Sequence, residues 1–308
     1  MSSRIENTQA GMDDLFFFEA GESKRSLPSD VKEVANYVHA MEYGLDRLNT
    51  LPISGRLVRE IHERLMSAVR GDYATPGEFR KTQNWIGPPG CSLNEATYVP
   101  PPVAEMNESL SAWEKYLNGK PKEPVLIQCA LMHYQFEAIH PFIDGNGRVG
   151  RLLITFFLCE RGLLSQPLLY LSAFFERRRE EYYRRLLAVS QMGDWRGWVE
   201  FFLRGVATQA LEASKEAGAI LDLNREFKDM VKSAGRAPRH THRVVDRLFR
   251  NPVLSIPHCA RDLNLPYNSI QRCVKFLEGL KILRESTGRD RHRLYVAPRL
   301  LEILLKEE

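Results

Sequence analysis

Apolar residues recur at three- and four-residue intervals along nearly all of this 308-residue chain, so its fold must bury helical stripes. Val34, Tyr37, Val38, Met41 and Leu45 mark Ser29–Leu48, behind a Ser/Asp start. Leu57, Ile61, Leu65 and Met66 mark Ser54–Val69. Val103–Tyr116, Glu123–Phe136, Gly147–Glu160, Glu180–Ser190 and Trp195–Leu221 repeat the pattern. One long stretch breaks it. Gly77–Pro102 is rich in Gly, Pro and Asn around the short piece Asn84–Ile86, and reads as an exposed hairpin or loop. Strands never alternate with helices here, which excludes a doubly wound parallel sheet.

The pattern lapses over Lys232–Pro238, a linker. Beyond it, Arg243–Phe249, Ser255–Leu263 and Ser269–Leu280 read as short helices. Lys281–Glu285 and His292–Val296 read as strands joined by a turn. That is winged-helix order. The expectation is a mainly α protein: a helical body with one hairpin over 1–231, and a small α+β winged helix-turn-helix over 239–308. Charge divides the same way. Residues 231–308 hold 16 Lys and Arg against 8 Asp and Glu, a net of +8, whereas the whole chain carries +4. A basic tail on a mildly acidic body points to a polyanion, such as DNA bound through residues 239–308, as the tail's partner. Asn268, Ser269, Gln271 and Arg272 open its second helix, with Arg289, Arg291 and Arg293 on the wing. The same fold also serves as a protein-docking or dimer module. Five scattered cysteines without a CxxC pair read as reduced thiols of a cytoplasmic protein. Met1 leads into polar sequence rather than a signal peptide, and Leu152–Leu158 is too short to span a bilayer.

The chemistry concentrates in His140–Arg151, HPFIDGNGRVGR. Gly145, Asn146 and Gly147 let backbone N–H groups approach a ligand. A helix starting near Gly147 aims its positive end at the same point, which suits phosphates. Asp144 is a hard oxygen ligand for Mg²⁺. Arg148 and Arg151 lie three apart on the first helical turn and can both face phosphates. His140 titrates in the range needed to accept a hydroxyl proton. Gly145-x-Gly147-x-x-Gly150 also spells a dinucleotide fingerprint, but no strand precedes it. A purely structural Gly-rich turn leaves the surrounding His, Asp and Arg unexplained.

This string resembles the Fic signature HxFx(D/E)GNGRxxR at every fixed position. The resemblance implies an α-helical enzyme, a nucleotidyltransferase that moves AMP from Mg-ATP onto a Ser, Thr or Tyr hydroxyl of a target protein. His140 would be the general base and Asp144 the metal ligand. Gly145, Asn146 and Gly147 would form the anion cradle. Arg148 and Arg151 would hold the outer phosphates, with Val149 and Gly150 completing the nucleotide-binding run. Ser2-Ser3-Arg4-Ile5-Glu6-Asn7 resembles the family's inhibitory motif, in which Glu6 would pair with Arg151 and exclude the γ-phosphate. A solvated N-terminal Glu6 is the alternative. Gly77–Pro102 corresponds to the family's flap, a hairpin that aligns the target, with Asn84, Trp85, Ile86 and Gly87 as its working edge and Ile86 and Gly87 beside the nucleotide. Trp85 has a second reading as a core anchor. Tyr182 and Tyr183 sit where the family often places an adenine contact, yet adjacent helical residues point about 100° apart, so only one of them can touch the base. His133 and Glu137 have metal-ligand spacing but no third ligand, and read as a solvated or structural pair. The resemblance leaves open a homodimer with self-modification, transfer of another phosphate-bearing group, AMP removal, and a DNA-binding regulator whose body only senses nucleotide.

Overall fold

The computed structural model of the protein describes residues 12–20, 29–67, 75–88, 90–120, 122–289 and 292–305. The described residues fall into two compact units, 29–211, and 12–20 with 212–305. Each has its own apolar core. The first described helix, α1 (Met12–Glu19), lies in the second unit.

The first unit holds α2 (Ser29–Arg47), α3 (Gly55–Leu65), α4 (Val103–Asn118), α5 (Val125–Ile139), α6 (Asn146–Glu160), α7 (Leu171–Arg177), α8 (Arg179–Met192) and the start of α9 (Trp195–Ser233). Ser54 caps α3, accepting the Leu57 N–H at 3.4 Å. At the centre, α5 packs against α6. Val149, Leu152, Leu153, Phe156 and Phe157 of α6 are fully buried, as are Phe136 and Phe142. Two indoles fix α5 from outside: Trp113 Nε1 donates to the Met132 carbonyl at 3.1 Å and Trp198 Nε1 to that of Ala130 at 2.9 Å.

The second unit holds the rest of α9, then α10 (Thr241–Leu248), β1 (Val253–Ser255), α11 (Ile256–Leu263), α12 (Tyr267–Gly279), β2 (Arg284–Glu285), β3 (Leu294–Val296) and α13 (Pro298–Leu304). The antiparallel sheet has order β1-β3-β2, pairing Leu254 with Tyr295 and Glu285 with Tyr295. Phe16 and Ala20, on and just after α1, pack with Val253, Leu294 and Val296. Asn251 Nδ2 donates to the Phe16 carbonyl at 3.3 Å and to Glu19 Oε2 at 3.1 Å, and the Ser255 hydroxyl donates to the Ala20 carbonyl at 2.8 Å.

The mainly helical expectation holds, with local differences. The 77–102 hairpin is reduced to one antiparallel bridge, Ile86 with Tyr98, and a 3₁₀ turn at Leu93–Glu95. Pro88, Pro100, Pro101 and Pro102 supply no N–H to a longer ladder. The strand expected over Lys281–Glu285 shrinks to Arg284–Glu285 because Lys281 takes a left-handed conformation, φ 58°. Helix α9 runs past Leu221 to Ser233. Among the described residues no helix is long and apolar enough to cross a membrane.

Candidate active site

His140 caps α5 and turns the chain with a left-handed backbone, φ 48° and ψ 63°. Its N–H closes the helix on the Phe136 carbonyl at 3.0 Å. Its ring Nδ1 lies 3.2 Å from the Glu137 carbonyl, which assigns the Nδ1 proton to that bond and the accepting role to Nε2. The loop behind it is clamped from three sides. Asn146, the first residue of α6, is buried, and its side chain accepts the Phe142 N–H at 2.8 Å and donates to the Phe142 carbonyl at 2.9 Å. What Asn146 offers a ligand is therefore backbone rather than amide side chain. His62 of α3 stacks flat on the Phe142 ring, 3.7 Å between centroids and 4° between planes. Its Nε2 meets the Asp144 carbonyl at 3.0 Å, while its Nδ1 accepts the Gly77 N–H at 2.9 Å. Burial pushes the His62 pKa down to about 4, so the ring is neutral. Sequence reading missed His62, which looks like one more polar residue within an apolar helical stripe.

Gly145 precedes α6 at φ 78°, and a Cβ there would come within 2.9 Å of Met66 Sδ. The first-turn N–H groups of α6 have no intrahelical acceptor and face the same loop. The Asp144 carboxylate accepts the Gly145 N–H at 2.6 Å and stays 41% exposed. Arg148 and Arg151 are buried. Arg148 sits between Asp144 Oδ1 at 3.7 Å and Glu33 Oε2 at 3.8 Å, so α2 adds a carboxylate that the motif does not predict. Two members of the expected nucleotide-binding run do other work. Val149 is fully buried in the core. Gly150 admits α5: a Cβ would meet Glu137 Oε1 at 2.3 Å and Phe136 Cδ1 at 3.2 Å.

His133 resolves as structural rather than solvated. It is fully buried, with Nδ1 3.1 Å from the Gly150 carbonyl and Nε2 2.9 Å from the Tyr182 hydroxyl. Burial lowers its pKa to about 3. Tyr182 is buried too, stacked on Phe175 at 4.5 Å, which removes it as an adenine contact. Tyr183 points outward, 44% exposed, with the Arg179 guanidinium 5.8 Å from its ring.

The flap is tied to the motif by a residue the sequence did not flag. Arg80 is buried, and its guanidinium donates to the carbonyls of His140 at 3.1 Å, Thr82 at 3.2 Å and Pro101. Its backbone N–H donates to the Pro141 carbonyl at 2.8 Å. Asn84 Nδ2 donates to the Phe142 carbonyl at 2.8 Å, facing the loop instead of a target. Trp85 is exposed, its Nε1 donating to the Cys91 carbonyl at 3.0 Å, so it is not a core anchor. Ile86 is exposed beside it, and Gly87 leaves room for Cys91, whose Sγ a Cβ would meet at 2.6 Å. Glu6 and Arg291 lie outside the described residues.

Residues 52–158 match the family described as Fic/DOC family, and residues 1–46 match the Fic/DOC family N-terminal region. Similar curated proteins are both named protein adenylyltransferase Fic. The one from Drosophila grimshawi is 30% identical over 165 residues, covering 53% of this chain and 30% of that protein. The one from Culex quinquefasciatus is 32% identical over 145 residues, covering 46% and 25%. The chain thus spans under a third of the length of these relatives. A Fic family protein from Desulfovibrio desulfuricans aligns with a TM-score of 0.59 at 22% identity, covering 96% of this chain and 83% of that one. Fic-1 from C. elegans aligns with a TM-score of 0.53 at 21% identity, covering 70% and 60%. The signature string, the clamped loop at the start of α6 and the two matches agree that residues 52–158 carry a Fic/DOC family domain.

Proposed function

We propose that this protein is an adenylyltransferase that moves AMP from Mg-ATP to a Ser, Thr or Tyr hydroxyl of a target protein. The carrying observation is the meeting, at the start of α6, of a helix N-terminus, the Asp144 carboxylate, the buried Arg148 and an oriented His140 ring. The donor set fits a nucleotide bound with magnesium. Asp144 is a partly exposed carboxylate, and Gly145 lets the loop pack closely on Met66 and His62. Magnesium, held through Asp144, would neutralise phosphate charge. Arg148 and Arg151 hold the outer phosphates, and the Gly145–Gly147 backbone cradles them. His140 Nε2 takes the proton from the target hydroxyl. The hydroxyl oxygen then bonds to the α-phosphorus, the bond to the bridging oxygen breaks, and pyrophosphate departs. Tyr183, rather than Tyr182, borders the adenine. The flap edge at Ile86 and Gly87 lines the target segment.

Glu6 restrains this activity by pairing with Arg151, as the inhibitory-motif resemblance implies. A second copy of the chain serves as one target, giving self-modification. The test is incubation with α-labelled ATP and Mg²⁺. Label appears on the protein, rises with Glu6→Gly, and falls about 100- to 10,000-fold with His140→Ala. An unlabelled Glu6→Gly protein, alone and in lysate, overturns the reading. Product mass separates AMP from another phosphate-bearing group, and loss of mass from a modified target identifies AMP removal. The basic surface of the second unit favours one alternative, a DNA-binding regulator whose first unit only senses nucleotide. DNA retention with no transfer under any of these conditions selects it.

A further inference from the structure

The second unit presents a face that AMP transfer does not use. Helix α12 begins behind Pro266 and exposes Tyr267, Asn268, Gln271, Arg272 and Lys275. These positions recur at i, i+4 and i+8 and cover about 12 Å of helix, the width of the major groove of B-form DNA. Their chemistry suits base edges. A carboxamide matches the donor and acceptor of adenine, and a guanidinium matches the two acceptors of guanine. Helix α11 reaches α12 through Asn264, left-handed at φ 51°, then Leu265 and Pro266. That short turn between two packed helices is the joint of a helix-turn-helix. The β2–β3 connection supplies the wing, where Arg284, Arg289 and Arg293 are exposed.

Three acidic side chains of this unit are engaged by neighbours, while Glu278 lies half-buried on α12. Glu285 folds into the wing, accepting the N–H groups of Thr287 at 2.8 Å and Gly288 at 3.0 Å. Asp246 pairs with Lys228 at 2.8 Å. Asp262 pairs with Arg247 at 3.4 Å and His258 at 3.2 Å. Arg272 and Lys275 on α12 and Arg284, Arg289 and Arg293 at the wing are exposed members of the +8 set over residues 231–308, which also has exposed cations elsewhere, such as Arg243, Arg250 and Arg261.

We propose that the second unit is a winged helix that binds duplex DNA, with α12 in the major groove and the wing arginines on phosphates. Asn268, Gln271 and Arg272 read base edges. Lys275, Arg289 and Arg293 bind the backbone and set the register. An acidic protein surface would satisfy the cations but gives the carboxamides no role. This assignment is independent of the transfer reading, since no residue is shared.

The test uses the full chain and a fluorescent duplex pool with a randomised centre, followed by anisotropy and by sequencing of the retained fraction. Affinity drops about 40-fold between roughly 50 and 200 mM salt, as about three phosphate contacts require. Arg289→Ala and Arg293→Ala each weaken binding to every sequence and lower the salt slope by about one. Asn268→Ala with Gln271→Ala keeps salt-dependent binding but erases the enriched sequence. Circular dichroism melts confirm that each variant folds, and self-labelling stays unchanged. The proposal is overturned if no duplex is retained at low salt. It is equally overturned if a folded Arg272→Ala/Lys275→Ala/Arg289→Ala/Arg293→Ala variant binds DNA as the parent does, or if this face captures an acidic protein and no duplex.

Discussion

His62 and Gly150 carry the motif although neither would touch the nucleotide. His62 presents three surfaces, each in use: its face on Phe142, Nε2 on the Asp144 carbonyl and Nδ1 on the Gly77 N–H. It is neutral with a pKa of about 4, and His133 with one of about 3. Unfolded, both rings take protons near pH 6.5. Their depressed folded values mean that stability is complete above pH 6.5 and declines as pH falls toward 4. The urea midpoint should therefore fall from pH 7 to pH 4, and His62→Gln should flatten that slope. Gly150→Ala should cost about 1–3 kcal/mol in urea unfolding, since its Cβ has nowhere to go except into Glu137. The position of His140–Arg151, a loop running into the start of α6, was legible in the sequence because its glycines break the apolar period just before a strongly apolar helix. The packing roles of Val149 and Gly150 were not, because a glycine needed for a ligand and one needed for a neighbouring helix look alike. The left-handed backbone of His140 adds a practical point. Asn tolerates that conformation better than Ala, so His140→Asn separates loss of the base from loosening of the loop.

At the scale of elements, long periodic helices announced themselves and short ones did not. α2 through α6 follow the apolar stripes closely. Helices α1, α7 and α13, of 8, 7 and 7 residues, give too few turns for a period to emerge. Strand β1 is three residues, also too short for alternation to be seen. The flap was placed correctly as a Gly/Pro-rich break, but its attachment was hidden because Arg80 bonds carbonyls 2 to 60 residues away. Arg80 should be what keeps the 77–102 segment against the His140–Arg151 loop. Arg80→Ala leaves three carbonyls without that donor, at a cost of about 1–3 kcal/mol for each that water cannot reach. Hydrogen exchange over residues 80–102 should accelerate at least tenfold, while α4 and α9 keep their protection. Unchanged exchange in the flap would mean that the Ile86–Tyr98 bridge alone suffices.

At the scale of the whole molecule, the two units have separate apolar clusters. Leu277 is fully buried in the second. Leu277→Ala should destabilise that unit by about 2–5 kcal/mol and leave self-labelling by the first intact. A calorimetric transition that shifts while activity persists is the expected result. The sequence reading set a tail module over 239–308, whereas the second compact unit starts near residue 212, and nothing in residues 12–20 foretold that they pack with it, 235 residues away in the chain. That seat governs how the molecule can be divided. A fragment cut at the linker, starting near residue 234, would leave Val253, Leu294 and Val296 without Phe16 and Ala20 to cover them. The freed β1 edge would invite aggregation of the excised piece. A well-behaved isolated tail therefore requires residues 12–20 supplied in trans or fused by a new connection.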